Sequence, residues 1–416
     1  MATVGELVLI PGRDPFRRAG GAESYVLAHA AAAALTGRRA HLICAGRRAR
    51  RQELQDATLQ VVASPMPLVR SIVAPLHRRP LVRAIVELLT GRPGPHVLHA
   101  FGAWVDTAVA ARDVLATRGV EARVVVTAWT PIEHEAAAKL DSQMVQDSRR
   151  LRLAGRLELA WVRRVTVPAE RRGYRAADAV AVNYDSVIRL IEQAYGPGLP
   201  FHKLTYAPPT AFGEAELPGA APTGLPPGEA PLLLSVGRQD GRKGQDRFLD
   251  ALAILRDEGR AFRGCLVGGG TLLEAHRKRA RELRLDDRVT LPGRVPEVMP
   301  YLRVCDVYVL PSTQEASGSV GALEAMQAGA AIVSTAIDGM PEDITDGQDG
   351  LLVEPGSAEA IAAALRRLLD APDERVRLGA AARSLYERRF SANAAATELD
   401  TFYGTLLSSS SRTAVR

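Results

Sequence analysis

The sequence predicts an α/β protein made of two doubly wound, parallel-sheet units joined by a linker. Three observations carry this. The chain has 416 residues, and a single domain commonly holds roughly 100–200. Its strand candidates are continuous apolar runs rather than alternating ones, the mark of parallel strands covered on both faces by crossover helices. One stretch rich in proline, glycine and alanine, FGEAELPGAAPTGLPPGEAP (212–231), interrupts the pattern, which then restarts. The expected boundaries are 1–210 for the N-terminal unit, 211–230 for the linker, 231–390 for the C-terminal unit and 391–416 for a last helix with a frayed tail.

The elements follow in order. ELVLIP from Glu6 reads as a buried strand, and Glu23 to Leu35 as a helix. AHLICA from Ala40, HVLHAF from His96, ARVVVTAW from Ala122, DAVAVNY from Asp178 and KLTYAPP from Lys203 complete the first set of strands. After the linker, PLLLSVG from Pro231 is a strand and Gln245 to Asp257 a helix. GCLVGGG is a strand ending in glycines, followed by a helix from Leu272 to Leu283. RVTLPG, DVYVLPS, AAIVST and GLLVEPG are the remaining strands. Ser357 caps an amphipathic helix, Ala358 to Asp370, with Glu359 in its first turn. Helices near Glu374–Arg389 and Asn393–Leu406 finish the chain.

Composition narrows the function classes. The net charge is +6, mostly from arginine, which suits phosphorylated or other anionic ligands. Aromatic residues are only 5%, too few for base-stacking platforms, so nucleic acid is not an expected partner. Cys44, Cys265 and Cys305 lie in or beside apolar runs, lack metal-ligand spacing and are odd in number. Buried thiols in a reducing cytoplasm are therefore expected. MATVGELVLIPGRD has no basic segment before its apolar run, and no run of about 18 apolar residues exists, so neither a leader nor a membrane span is expected.

In doubly wound sheets ligands bind outside the carboxyl ends of the strands, and the motifs stand there. SVGRQDGRKGQD (235–246) links a strand to a helix. Arg238 and Lys243 lie on a turn bearing Gly237, Gly241 and Gly244, beside a helix N-terminus. Two cations with exposed amides suit a diphosphate, although a solvated basic turn would look the same. Gly268, Gly269 and Gly270 follow another strand, and a tight turn explains them equally well. In LPGRVP (291–296), Arg294 and Val295 offer backbone groups to a base edge. LPSTQEASGSVGALEAMQAGAAIVST (310–335) places Glu315, Gly318 and Ser319 in a loop. Glu324 follows in an alanine-rich helix, where a buried acid needs a partner such as ribose hydroxyls. Near the N-terminus, Gly20 and Gly21 separate the first strand from the first helix.

Together these motifs, in this order and spacing, resemble glycosyltransferase family 4, whose fold is GT-B: two Rossmann-like domains facing across a cleft, with the C-terminal helix returning to the N-terminal domain. The similarity is strongest from Leu232 to Phe390. It implies that Arg238 and Lys243 neutralise a donor diphosphate, that Glu315 contacts the donor sugar, and that Glu324 holds the ribose. Gly318, Ser319 and Val320 would supply amides, Arg294 and Val295 would read the base, and Gly20, Gly21, Gly268 and Gly270 would line the donor. The N-terminal domain would bind the acceptor. The implied reaction is metal-independent and retaining, with a UDP-sugar as donor substrate and no cofactor.

The pattern departs from the family in three places. The two glutamates stand nine apart (324−315) where the family has eight, Trp129 stands where a histidine is usual, and an asparagine before the linker is missing in YAPPTAF. Acceptor-side candidates are His99, Trp129, Glu133 and His134. MPLVRSIVAPLHRRPLVRAIVELL (66–89) mixes arginine with apolar residues. It reads either as a helix with a solvated basic face or as one lying on the inner membrane face to collect a lipid-linked acceptor. Competing classes are a non-catalytic nucleotide-sugar-binding protein and a UDP-sugar epimerase.

Overall fold

In the computed structural model, the residues described are 5–16, 21–55, 57–64, 70–137, 149–212, 222–315 and 318–408. The chain divides into two compact units. The first runs to Phe212 and takes in the residues from Ala395 onwards; the second ends at Ala394. Residues 213–221 of the expected linker fall outside the described residues.

The first unit holds an eight-stranded sheet in the order β3-β4-β2-β1-β5-β6-β7-β8. Its strands are β1 (Leu7–Arg13), β2 (Ala40–Gly46), β3 (Arg50–Glu53), β4 (Ala57–Ala63), β5 (His96–Phe101), β6 (Ala122–Thr127), β7 (Ala179–Val182) and β8 (Phe201–Lys203). All pairings are parallel except β3 with β4. Apolar residues of β1, β5 and β6 such as Val8, Leu98 and Val124 pack with helices Ala74–Leu89 and Val105–Ala116 into one core.

The β3–β4 hairpin is absent from the expected elements: RRQE is wholly polar and exposed, and the largely buried apolar run ATLQVVA of β4 was overlooked. An antiparallel edge strand needs no buried face. The last strand ends at Lys203, where the sequence reading began it.

Under the sheet's end lies a ring cluster tied to the terminal helix Ala392–Ser408. His99 on β5 is fully buried, with Nδ1 2.6 Å from the Tyr403 hydroxyl and Nε2 2.7 Å from Thr127 Oγ1. The His29 ring stands edge-on to that of His99, with centroids 4.7 Å apart, and Thr205 donates its backbone N–H to Glu398. The C-terminal helix thus belongs to the first unit.

This cluster makes stability sensitive to acid. Burial lowers the His29 pKa to about 4, and its Nε2 has no partner among the described residues. The unfolded chain therefore takes up a proton near pH 6.5 that the folded chain refuses until about pH 4. Folding stability is unaffected above that window, falls as pH drops through it, and levels off below. The cost at pH 5 is about 2 kcal/mol. His29→Phe should flatten the pH 7-to-5 difference in urea unfolding by that amount; an unchanged difference would exclude His29 as the cause.

The second unit holds a six-stranded, all-parallel sheet in the order β11-β10-β9-β12-β13-β14. The strands are β9 (Leu232–Val236), β10 (Arg263–Val267), β11 (Val289–Gly293), β12 (Val307–Leu310), β13 (Ala331–Thr335) and β14 (Leu351–Val353). The chain winds outward from β9 to β11, then returns to the other side of β9 as β12. The order reverses between β9 and β12, the switch point at which such sheets open a crevice. Helices Gln245–Asp257 and Ala358–Asp370 bury Phe248, Leu252, Ile361 and Leu365 in this unit's core.

Candidate active site

The loops after β9 and β12 meet at this switch point. After β9 the chain forms a short 3-10 turn, Gly241–Lys243, in which the Asp240 side chain accepts from the Arg242 N–H. Gly244 follows in the left-handed region, with φ 62°. Its missing side chain lets the turn sit on the Pro311 carbonyl, where any Cβ would overlap the oxygen. Thr313 then donates its N–H to the Arg242 carbonyl at 2.8 Å. This docking brings Lys243 Nζ to 2.5 Å from Glu315 Oε1.

Glu315 is buried, with only 4% of its side chain exposed. Ser312 Oγ donates to the same Oε1 at 2.5 Å, and the Glu315 backbone N–H donates to Asp338 Oδ2 at 2.6 Å. Oε2 accepts from no described residue, so one carboxylate oxygen stays available for a hydroxyl. Ser312 is fixed in turn by Thr335 Oγ1, which donates to its carbonyl at 2.6 Å.

Arg238 is exposed, and its guanidinium has no partner among the described residues. Its carbonyl accepts from Gln245 Nε2 at 3.1 Å. The loop is held from beneath by Gln239, fully buried, whose Oε1 lies 2.6 Å from His276 Nδ1. Exposed cation above and anchored backbone below is the arrangement a bound anion requires.

Ser319 is the N-cap of the helix Val320–Ala328, its side chain accepting from the Ala322 N–H. Gly318, at φ 86°, donates its N–H to the Glu315 carbonyl at 3.0 Å. Glu324 is buried in that helix. Its charge is felt by two phenols, Tyr308 and Tyr386, whose pKa values are raised first by burial; Glu324 adds to the rise at both, while Arg383 opposes it at Tyr386.

The glycine-rich turn after β10 has an internal role. Gly268 has φ 137°, and a Cβ there would overlap the Gly237 carbonyl; one on Gly270 would overlap the Gln239 backbone. Both glycines therefore let neighbouring loops touch, whereas the sequence reading placed them against the donor. Gly269 is the open one, with Arg294 Cβ 3.5 Å from a Cβ placed there. Arg294 is exposed and Val295 half-buried.

Of the residues suggested on the first unit, Gly20 lies outside the described residues and Gly21 opens the helix Gly21–Leu35. Trp129 is half-buried after β6, edge-on to Tyr25 at 5.9 Å between ring centroids. Glu133 is engaged by Arg163 at 2.7 Å, and His134 is exposed. His99 requires correction. With no exposed surface and both ring nitrogens engaged, it fastens the terminal helix and cannot meet an acceptor.

Sequence reasoning missed Gln239, Ser312 and Asp338 as parts of this assembly. Gln239 and Asp338 act through contacts between segments distant in sequence, and Ser312 through a side-chain bond to Glu315 three residues on. Among the described residues no three His, Cys, Asp or Glu side chains group as metal ligands, and no helix is long and apolar enough to cross a membrane.

Comparison with known proteins bears on both halves. The model described as glycosyl transferases group 1 matches residues 222–385, and that described as glycosyl transferase 4-like domain matches residues 20–210. Curated relatives include a D-inositol 3-phosphate glycosyltransferase of Corynebacterium aurimucosum, 34% identical over 42% of this chain and 44% of its own length. Another is the alpha-D-kanosaminyltransferase of Streptomyces kanamyceticus, 31% identical over 58% of this chain and 64% of its own. The alignment with the former spans less than half of that relative. Among solved structures, sucrose-phosphate synthase from Thermosynechococcus elongatus superposes with a TM-score of 0.67 at 21% identity, covering 98% of this chain and 100% of that one. HepE of Anabaena, solved with UDP, gives 0.66 at 16% identity, covering 96% and 100%. The two models between them take in both units, and the chain belongs to glycosyltransferase family 4, with the GT-B fold.

Proposed function

We propose that this protein is a metal-independent, retaining glycosyltransferase that moves a sugar from a UDP-sugar to a hydroxyl of a small-molecule or lipid-linked acceptor. The observation that carries the reading is the switch-point cluster: an exposed Arg238, and Lys243 paired with a Glu315 that keeps one oxygen open. Loss of the nucleotide leaves negative charge on the diphosphate. Arg238 and Lys243 stabilise it where it develops, which is electrostatic catalysis of leaving-group departure. Glu315 Oε2 takes a sugar hydroxyl, and Glu324 takes the ribose. Trp129 and His134 are the acceptor-side candidates.

UDP as the base is favoured by the fold neighbour solved with UDP. A Mycobacterium tuberculosis relative described as GDP-mannose-dependent, 32% identical over 38% of this chain, makes GDP the competing choice. The test is a thermal-shift panel of UDP, GDP, ADP and their sugars, with EDTA present. A ligand selective for the native state raises the melting temperature, by about 2.7 kcal/mol of added stability at a hundredfold excess over its dissociation constant. The expected result is stabilisation by UDP and one UDP-sugar. No shift with any nucleotide at millimolar concentration overturns the donor assignment. Binding without transfer to any acceptor would instead favour a non-catalytic nucleotide-sugar-binding protein. The anomeric configuration of the product, read by proton NMR, tests retention.

A further inference from the structure

Asp338 stands out in the loop after β13. Its φ is 46°, a left-handed conformation that among the described residues only one other non-glycine residue, Arg284, shares. Such a backbone is strained for most side chains, although aspartate tolerates it better than most. The fold could have used glycine here at no steric cost. What aspartate adds is a carboxylate, and Oδ2 of that carboxylate accepts the Glu315 backbone N–H at 2.6 Å. The bond joins the loop after β13 to the loop after β12, 23 residues apart in sequence.

Glu315 is held at its carboxylate by Lys243 and Ser312, both on Oε1. Those two contacts fix one oxygen but not the peptide from which the side chain springs. The Asp338 bond fixes the peptide. With both ends set, Oε2 has one direction to point.

We propose that Asp338 is a positioning residue. Through the Glu315 N–H it aims Glu315 Oε2 at the donor sugar, and it thereby sets affinity for the sugar part of the donor rather than for the nucleotide. This rests on the reading of Glu315 as the sugar-contacting acid given above.

The test compares Asp338→Gly and Asp338→Asn with the native protein. Glycine keeps the left-handed backbone and removes the acceptor. Asparagine tolerates that backbone and returns an acceptor oxygen in its Oδ1. Three quantities are read: the melting temperature, the dissociation constant for UDP or GDP, and that for UDP-glucose or GDP-mannose with the rate of its hydrolysis.

Asp338→Gly should lower the melting temperature by no more than a few degrees, relief of the left-handed strain partly offsetting the lost bond, and bind the free nucleotide within about twofold of the native protein. Its affinity for the sugar nucleotide and its hydrolysis rate should each fall about tenfold, the size of one lost hydrogen bond to a charged acceptor. Asp338→Asn should restore most of that loss. Native-like sugar-nucleotide binding and hydrolysis by Asp338→Gly overturn the proposal. So does an equal loss of free nucleotide and sugar nucleotide, which would make Asp338 a general support of the fold. Failure of the native protein to bind any nucleotide overturns the underlying reading instead, a result visible before either variant is made.

Discussion

Replacing Lys243 with alanine is expected to lower the rate of sugar transfer by about 10²–10³, the usual cost of removing one donor aimed at developing charge. Stability should fall as well. The substitution strands the buried Glu315 carboxylate with only Ser312 on Oε1, a loss of about 1–3 kcal/mol. The two effects are separable because Arg238 supplies the same kind of charge without the same structural tie. Its guanidinium is exposed and unpaired among the described residues, so Arg238→Ala should change stability by no more than about 0.5 kcal/mol. Its turnover should nevertheless fall by a similar factor of about 10²–10³. Initial rates at saturating donor, measured beside melting temperatures for both variants, decide the matter. Near-native turnover in Arg238→Ala would sink its assignment to the leaving group. Lys243→Arg should recover stability more than rate, since a planar fork does not reproduce a compact ammonium.

These expectations show which parts of the molecule could be read from sequence. The sheets were legible because parallel strands buried on both faces leave continuous apolar runs, as in LLLSV and VYVL. The turn carrying Arg238 and Lys243 was legible because charge and glycine concentrate there. Asp338 was not, because its meaning lies in a bond to a backbone amide 23 residues earlier, and nothing in AIDGMP advertises it. β3 was silent for the opposite reason: a polar edge strand buries nothing that periodicity can detect, whereas its partner β4, with Ala57, Leu59 and Val61 buried, carried an apolar signal that was overlooked. His99 misled because a histidine at the end of an apolar strand looks the same in sequence whether it faces solvent or a tyrosine from the far end of the chain.

The glycines after β10 give the largest expected effect on the fold. Gly268→Ala places a Cβ against the Gly237 carbonyl in a backbone conformation, φ 137°, that L side chains rarely adopt. Neither flank can yield easily. Gly268 donates to the Gly293 carbonyl at 2.9 Å, and Gly237 donates to the Val267 carbonyl at 2.9 Å, so the loop is pinned to β11 on one side and β9 on the other. A cost of about 3 kcal/mol is expected from strain and overpacking together. That corresponds to a drop of roughly 10 °C in the melting transition of a unit this size. Because Gly237 directly precedes Arg238, nucleotide affinity should fall with it. Gly269→Ala is the informative partner. Its new Cβ would meet only Arg294 at an ordinary 3.5 Å, so stability should be nearly unchanged. If nucleotide binding weakens in Gly269→Ala while melting does not, the middle glycine faces the ligand beside Arg294. If binding is also unchanged, the three glycines serve loop packing alone, and base recognition belongs elsewhere in the unit.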